Sequence, residues 1–77
     1  MPTAHREGSF RFFFYSNEDH EPPHVHVESG DGTAKFWLDD EISLAESDEY
    51  NETELNKLRR IIRNNIDRLM EAWNAHR

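Results

Sequence analysis

The sequence contains no cysteine, and it has only three glycines and three prolines among its 77 residues. Without cysteine there is no disulfide scaffold, no thiolate nucleophile and no Cys-ligated zinc site. The few glycines form neither a phosphate-binding loop nor the glycine-flanked elbow of a serine hydrolase. Thiol chemistry and these two motif-defined classes of enzyme are therefore excluded.

Long apolar stretches are absent as well. No segment approaches the roughly 18 apolar residues of a transmembrane helix, and residues 1–7 lack the apolar core of a signal peptide. We therefore expect a cytoplasmic protein with no membrane partner. The length allows one domain, residues 1–77, and a domain this small buries only about 60% of its unfolded surface.

Basic residues are few, with 9 Lys and Arg against 16 Asp and Glu, so the net charge is −7. Residues 1–50 carry a net charge of −9, whereas residues 51–77 carry +2. Because an acidic surface repels phosphate backbones, the charge disfavours nucleic-acid binding. An acidic region beside a basic one favours a protein partner or a homodimer.

Short alternating segments fill the first part of the chain. Residues 10–15 are almost entirely aromatic, and residues 24–28 and 33–38 alternate between apolar and polar side chains, which predicts strands. Ser29-Gly30-Asp31-Gly32 is typical of a hairpin turn, and residues 41–45 are a plausible fourth strand. Residues 1–9 are predicted to be a flexible lead-in, so the sheet spans residues 10–45.

The last third of the chain changes period. Its apolar residues are spaced by three or four positions, as on one face of an amphipathic helix over residues 51–76. Asn51 and Glu54 have the spacing of a capping box. We therefore predict an α+β fold, in which a three- to four-stranded antiparallel meander packs one face against one long C-terminal helix. The stripe consists of Leu55, Leu58, Ile62, Ile66, Leu69 and Trp73.

Three of the five histidines lie within seven residues, at His20, His24 and His26. Residues two apart in a strand face the same way, so we expect His24, His26 and Glu28 to lie side by side, with Val25 and Val27 in the core. Two imidazoles and a carboxylate can hold one transition metal ion, Zn²⁺ or Ni²⁺, and His20 can add a ligand from the preceding loop. The same histidines are candidates for general acid–base catalysis. A solvated sheet face or a protein contact is the simpler explanation, and we favour it over a metal site, which needs a specific geometry.

The segment Asp19-His20-Glu21-Pro22-Pro23-His24-Val25-His26-Val27, together with the aromatic strand before it, resembles the small bacterial family named domain of unknown function 4160. The shared motif comprises His20, Pro22, Pro23, His24 and His26, so the resemblance assigns any common role to these positions. The family has no established reaction. Its genes often lie beside those of domain of unknown function 2442, and the resemblance therefore implies one half of a toxin–antitoxin-like pair.

The leading hypothesis is thus a small acidic protein-interaction module with a protein partner. The alternative is a metal-binding protein or metal-dependent enzyme that uses His24 and His26 together with either His20 or Glu28. A third hypothesis, an RNA-acting toxin with His24 or His26 as the general base, is disfavoured by the net charge.

Overall fold

A computed structural model of the chain describes residues 3–15 and 20–76. The chain forms five strands followed by two helices, so the predicted α+β class is confirmed. The strands make one antiparallel meander in the order β1-β2-β3-β4-β5. Their bounds are β1 Thr3–Glu7, β2 Phe10–Phe13, β3 His24–Ser29, β4 Gly32–Trp37 and β5 Leu44–Asp48, and those of the helices are α1 Glu52–Asn64 and α2 Ile66–His76.

Strands β3 and β4 form the predicted hairpin. Ser29 pairs with Gly32, and the turn between them consists of Gly30 and Asp31. Gly30 has a φ of 50°, a left-handed conformation that glycine adopts without the steric penalty of a side chain. The turn sets the register, which places Val25 opposite Phe36 and Val27 opposite Ala34.

The predicted number of strands is wrong, because the sheet has five strands and not three or four. The extra strand, β1, comes from the segment expected to be a flexible lead-in, and it pairs with β2. The last strand begins later than predicted. The carboxylate of Asp39 accepts hydrogen bonds from the backbone N–H groups of Glu41 and Ser43 and from the Ser43 hydroxyl, so residues 39–43 form a turn before β5.

The predicted single helix is divided in two at Asn65. Its start is as expected, since the Asn51 side chain accepts from the Glu54 N–H and the Glu54 side chain accepts from the Asn51 N–H. At Asn65 the backbone has a φ of −121°, and the side-chain amide donates to the carbonyl of Ile61. That bond competes with regular helix geometry and separates α1 from α2. Neither helix described here has the length and apolar content needed to cross a membrane.

Both helices pack on one face of the sheet. Val25 and Val27, predicted to lie in the core, are buried, and the buried residues of the strands form one cluster with the apolar stripe of the helices. The opposite side of the sheet, called the distal face below, carries the alternate residues of β2 to β5. These are Arg11, Phe13, His24, His26, Glu28, Thr33, Lys35, Trp37, Glu46 and Asp48.

Candidate functional site

The last two histidines of the motif, His24 and His26, lie on β3, at the centre of the sheet. The register places His26 between Phe13 of β2 and Lys35 of β4. His24 lies opposite Trp37, at the end of the same two strands. Because directly opposed residues share a face, with their Cβ atoms about 5 Å apart, the sheet brings His24 and His26 together with aromatic rings on both sides.

His24 is completely buried. Its Nδ1 lies 2.9 Å from the carbonyl oxygen of Pro22, so Nδ1 carries the hydrogen and donates to that carbonyl, and in the neutral ring Nε2 is then the acceptor nitrogen. The ring contacts Trp73 of α2 and Trp37, with centroid separations of 5.0 and 5.6 Å. The register places His24 on the same face as His26, as predicted. The ring is nevertheless buried, because Trp73 at the end of α2 covers it.

His26 is half-buried and makes closer contacts with neighbouring rings. It stacks on Phe13 with the centroids 5.6 Å apart and the planes 25° apart. Tyr15 meets it edge-on at 4.5 Å, and His24 does so at 5.2 Å. Together with Trp37, these rings form what we call the aromatic–histidine cluster: Phe13, Tyr15, His24, His26 and Trp37.

Two cations flank the aromatic–histidine cluster. The guanidinium of Arg11 lies 4.5 Å from the centroid of the Phe13 ring and bonds Glu28 at 2.8 Å. The ammonium of Lys35 lies 4.7 Å from the Trp37 ring and bonds Glu21 at 2.8 Å. The cations fix the rings from both ends of the distal face, and the Glu28 carboxylate is already engaged in an ion pair.

A concavity of about 380 Å³ opens beside the cluster on the distal face. Aromatic side chains of β2 and β3 line one side of it, and polar side chains of β5 line the other. The lining residues are Phe13, Tyr15, His26, Val27, Glu28, Thr33, Ala34, Glu46, Ser47 and Asp48. This volume lies at the lower end of the range of small-ligand pockets.

The predicted site residues are only partly assembled. His24 and His26 lie side by side as expected, whereas His20 is exposed and Glu28 pairs with Arg11. Within residues 3–15 and 20–76, no three His, Asp or Glu side chains are grouped as they would be around a metal ion. Metal binding therefore stays a prediction, and Glu18 and Asp19, the acids next to His20, lie outside the described residues.

Two contributions to this site were not predicted from the sequence. Glu46 and Asp48 of β5 line the concavity, and the alternating acids at positions 46 and 48 were the signal that they share a strand face. Trp73 was predicted to lie at the far end of the helix stripe, and its contact with His24 has no local sequence signal because the two residues are 49 positions apart.

The family model for "Domain of unknown function (DUF4160)" matches residues 9–74. The chain belongs to this family. The matched range contains four of the five strands, all five residues of the aromatic–histidine cluster, the whole of α1 and nearly all of α2. Neither a curated protein nor a solved structure shows detectable similarity to the chain.

Proposed function

We propose that this member of the DUF4160 family is a cytoplasmic protein-interaction module whose binding surface is the distal face of the sheet. One observation carries the proposal. Tyr15 is 39% exposed at the rim of a concavity whose walls are aromatic on one side and acidic on the other. Exposed tyrosine beside a partly apolar concavity is typical of protein-binding hot spots.

The rings of this surface are held rigidly. Tyr15 contacts both Phe13 and His26 edge-on, and Phe13 is buried beneath the guanidinium of Arg11. Side chains that are already fixed lose little rotamer entropy when a partner binds. The distal face is therefore suited to binding a partner without rearrangement.

The buried position of His24 favours a structural role over catalysis. A catalytic base must reach a proton on its substrate, whereas the His24 ring is enclosed by Trp37, Trp73 and His26 and donates to Pro22. Its packing holds His26 and Trp37 in place, so the histidine motif builds the surface that the partner meets.

We further propose that the partner is a second small protein, and that the two form a toxin–antitoxin-like pair. The resemblance stated above points to the family named domain of unknown function 2442 as the partner. Size supports association with a partner, because a chain of 77 residues gains from a complex buried apolar area that it cannot provide alone.

The test is to express the chain with the product of an adjacent gene of that second family, purify the complex and measure its affinity by calorimetry. We expect Tyr15→Ala to weaken binding by at least about tenfold and His26→Ala to weaken it as well. Arg60→Ala is the matched control, because Arg60 is exposed on α1 and lies on the opposite layer. The absence of a complex, or equal losses for Tyr15→Ala and Arg60→Ala, would contradict the proposal.

A metal-binding protein, with or without enzyme activity, is the second candidate function. It is favoured by the hydrogen bond from His24 Nδ1 to the Pro22 carbonyl, because metal-ligating histidines usually donate their second nitrogen to such a carbonyl. His24 and His26 would then bind Zn²⁺ or Ni²⁺ with a third ligand. Calorimetric titration of both ions against wild type, His26→Ala and His20→Ala tests it, and binding that neither substitution weakens would exclude these ligands.

A further inference from the structure

The concavity on the distal face has two chemically different walls. Phe13, Tyr15 and His26 provide rings on one side, and Glu46 and Asp48 provide carboxylates on the β5 side. The β5 side chains are exposed along the whole strand. A ligand in the concavity would therefore meet π-faces and negative charge together.

The two β5 carboxylates are not neutralised within the described part of the chain. Within that part, neither the Glu46 nor the Asp48 side chain has a hydrogen bond or an ion pair, whereas the Glu28 side chain pairs with Arg11. Lys35 is the register partner of Glu46, but its ammonium bonds Glu21 and lies over Trp37. The β5 side of the concavity thus carries a surplus of negative charge.

The distal face already shows how its rings accommodate cations. The guanidinium of Arg11 lies over Phe13 while it bonds Glu28, and Lys35 makes the corresponding pair of contacts with Trp37 and Glu21. In both cases a cation lies between a ring and a carboxylate. The concavity presents the same two kinds of group, Tyr15 and His26 on one side and Glu46 and Asp48 on the other.

We propose that the concavity receives an arginine side chain from the protein partner. Arginine fits better than lysine, because its planar guanidinium stacks on aromatic rings and forms paired hydrogen bonds with carboxylates. This inference rests on the proposed function, since it specifies the chemistry of the partner. An anionic ligand is disfavoured by the same carboxylates.

A second copy of the chain is a less suitable source of the arginine. Its exposed Arg60 and Arg63 lie on the helix layer, opposite the distal face. Arg6 is also exposed, on the edge strand β1, where it is the register partner of Arg11. If two copies met through Arg6, their distal faces would oppose each other, and the repulsion between the two acidic β5 sides disfavours that contact. If the helix layer of one copy bound the distal face of the next, the contact would be head-to-tail. Such a contact produces open filaments unless it closes into a ring. The arginine is therefore assigned to a different protein.

The experiment titrates a short blocked Gly-Arg-Gly peptide into isotope-labelled full-length protein and follows the amide signals by NMR. The same peptide with citrulline tests the charge at constant shape, and the same peptide with lysine tests the guanidinium. We expect shifts at Tyr15, His26, Glu46 and Asp48, with binding at least tenfold weaker for citrulline and measurably weaker for lysine. Binding should also weaken as salt is added.

The double variant Glu46→Gln/Asp48→Asn should weaken binding of the arginine peptide at least tenfold. Asp40→Asn/Glu41→Gln is the matched control, because it also removes two exposed carboxylates but lies outside the concavity, and it should leave the affinity unchanged. Equal binding of the citrulline or lysine peptide, no binding of any peptide, or equal losses in the two double variants would overturn the inference.

The partner complex separates this inference from the proposed function. If the partner binding depends on Tyr15 but not on Glu46 and Asp48, the interaction surface stands and the arginine site falls. If the arginine peptide binds at the concavity but no partner complex forms, the site stands and the proposed function falls. Self-association that the Glu46→Gln/Asp48→Asn variant abolishes would overturn the assignment to a different protein.

Discussion

At the scale of single residues, the three histidines of the motif have different environments. His24 is completely buried among rings, His26 is half-buried and His20 is exposed. We predict that His24→Ala lowers the free energy of unfolding by about 2–4 kcal/mol, because it leaves a cavity and an unpaired carbonyl at Pro22. His26→Ala should cost about 1 kcal/mol, and His20→Ala should stay within about 0.5 kcal/mol.

Urea denaturation of the three variants measures these differences. His20→Ala serves as the control for loss of an imidazole without loss of packing. A His24→Ala variant as stable as the His20→Ala variant would show that the ring is not part of the packed structure, and it would remove the argument for a structural role.

Asp39 gives the fold a dependence on acid pH. The hydroxyl and N–H of Ser43, followed by the N–H groups of Glu41 and Ile42, hold the pKa of the Asp39 carboxyl below its ordinary value of 3.8. A carboxyl with a lowered pKa stabilises the folded state above its unfolded-state pKa, and this stabilisation is lost as the pH falls through the folded-state pKa. Asp39→Asn should therefore be less stable than wild type at neutral pH, and the difference should shrink below about pH 3.8.

Carboxyl NMR titration and unfolding at several pH values test this prediction together. In Ser43→Ala the pKa of Asp39 should rise toward its ordinary value, because the largest contribution is the Ser43 hydroxyl. A constant difference in stability between Asp39→Asn and wild type across the acid range would contradict the assignment.

At the scale of residues, the sequence predicts burial within the strands better than it predicts the turn at residues 39–43. Alternation correctly placed Val25 and Val27 in the core, because it depends only on the two-residue period of a strand, but it did not predict the burial of His24 on the opposite face. It did not predict that residues 39–43 form a turn, in which the buried Ile42 has a φ of 51°. A β-branched residue rarely adopts that conformation and favours strands, so residues 41–45 were predicted to be a strand. The hydrogen bonds to the Asp39 carboxylate instead hold residues 39–43 in a turn.

At the scale of elements, the interruption at Asn65 positions the end of α2 against the histidine motif. Trp73 of α2 contacts both His24 and Phe14. Asn65→Ala removes the side-chain bond to Ile61 and favours a continuous helix by roughly half a kcal/mol in propensity. We predict that the variant is nevertheless less stable than wild type, because a helix that continues through residue 65 would change the packed position of Trp73 against His24 and Phe14.

Urea denaturation and tryptophan fluorescence measure this effect. Asn64→Ala is the control, because Asn64 is exposed and lies within α1, so this substitution should be neutral or slightly stabilising. An Asn65→Ala variant that gains as much stability as Asn64→Ala would contradict the role given to the interruption.

Two features at this scale could not be predicted from the sequence, the interruption of the helix and strand β1, and each has a physical reason. The apolar stripe keeps its spacing across Asn65, so the helix period has no gap there, and the interruption depends on one side-chain hydrogen bond. Strand β1 contains His5, Arg6 and Glu7, which have weak strand propensity, and it is ordered through its pairing with β2. Tertiary context decides such segments.

At the scale of the whole molecule, the net charge of −7 is divided between two layers. The helices carry exposed basic residues such as Arg60 and Arg63, while β5 carries exposed acids next to the concavity. The alternation within each strand can be predicted from the sequence, but this division of charge between two layers cannot. Only the folded meander places β5 beside the aromatic–histidine cluster. We therefore expect a basic partner to bind at one surface, the distal face.

The most direct test of the central claim is to map the partner's contact surface by NMR, using labelled chain and unlabelled partner at moderate salt. The account predicts signal changes centred on Tyr15, His26, Glu46 and Asp48, with the exposed face of α1 around Arg60 unchanged. Changes centred on Arg60 and Arg63, with the distal face unaffected, would contradict the claim that the aromatic–histidine cluster forms the binding surface.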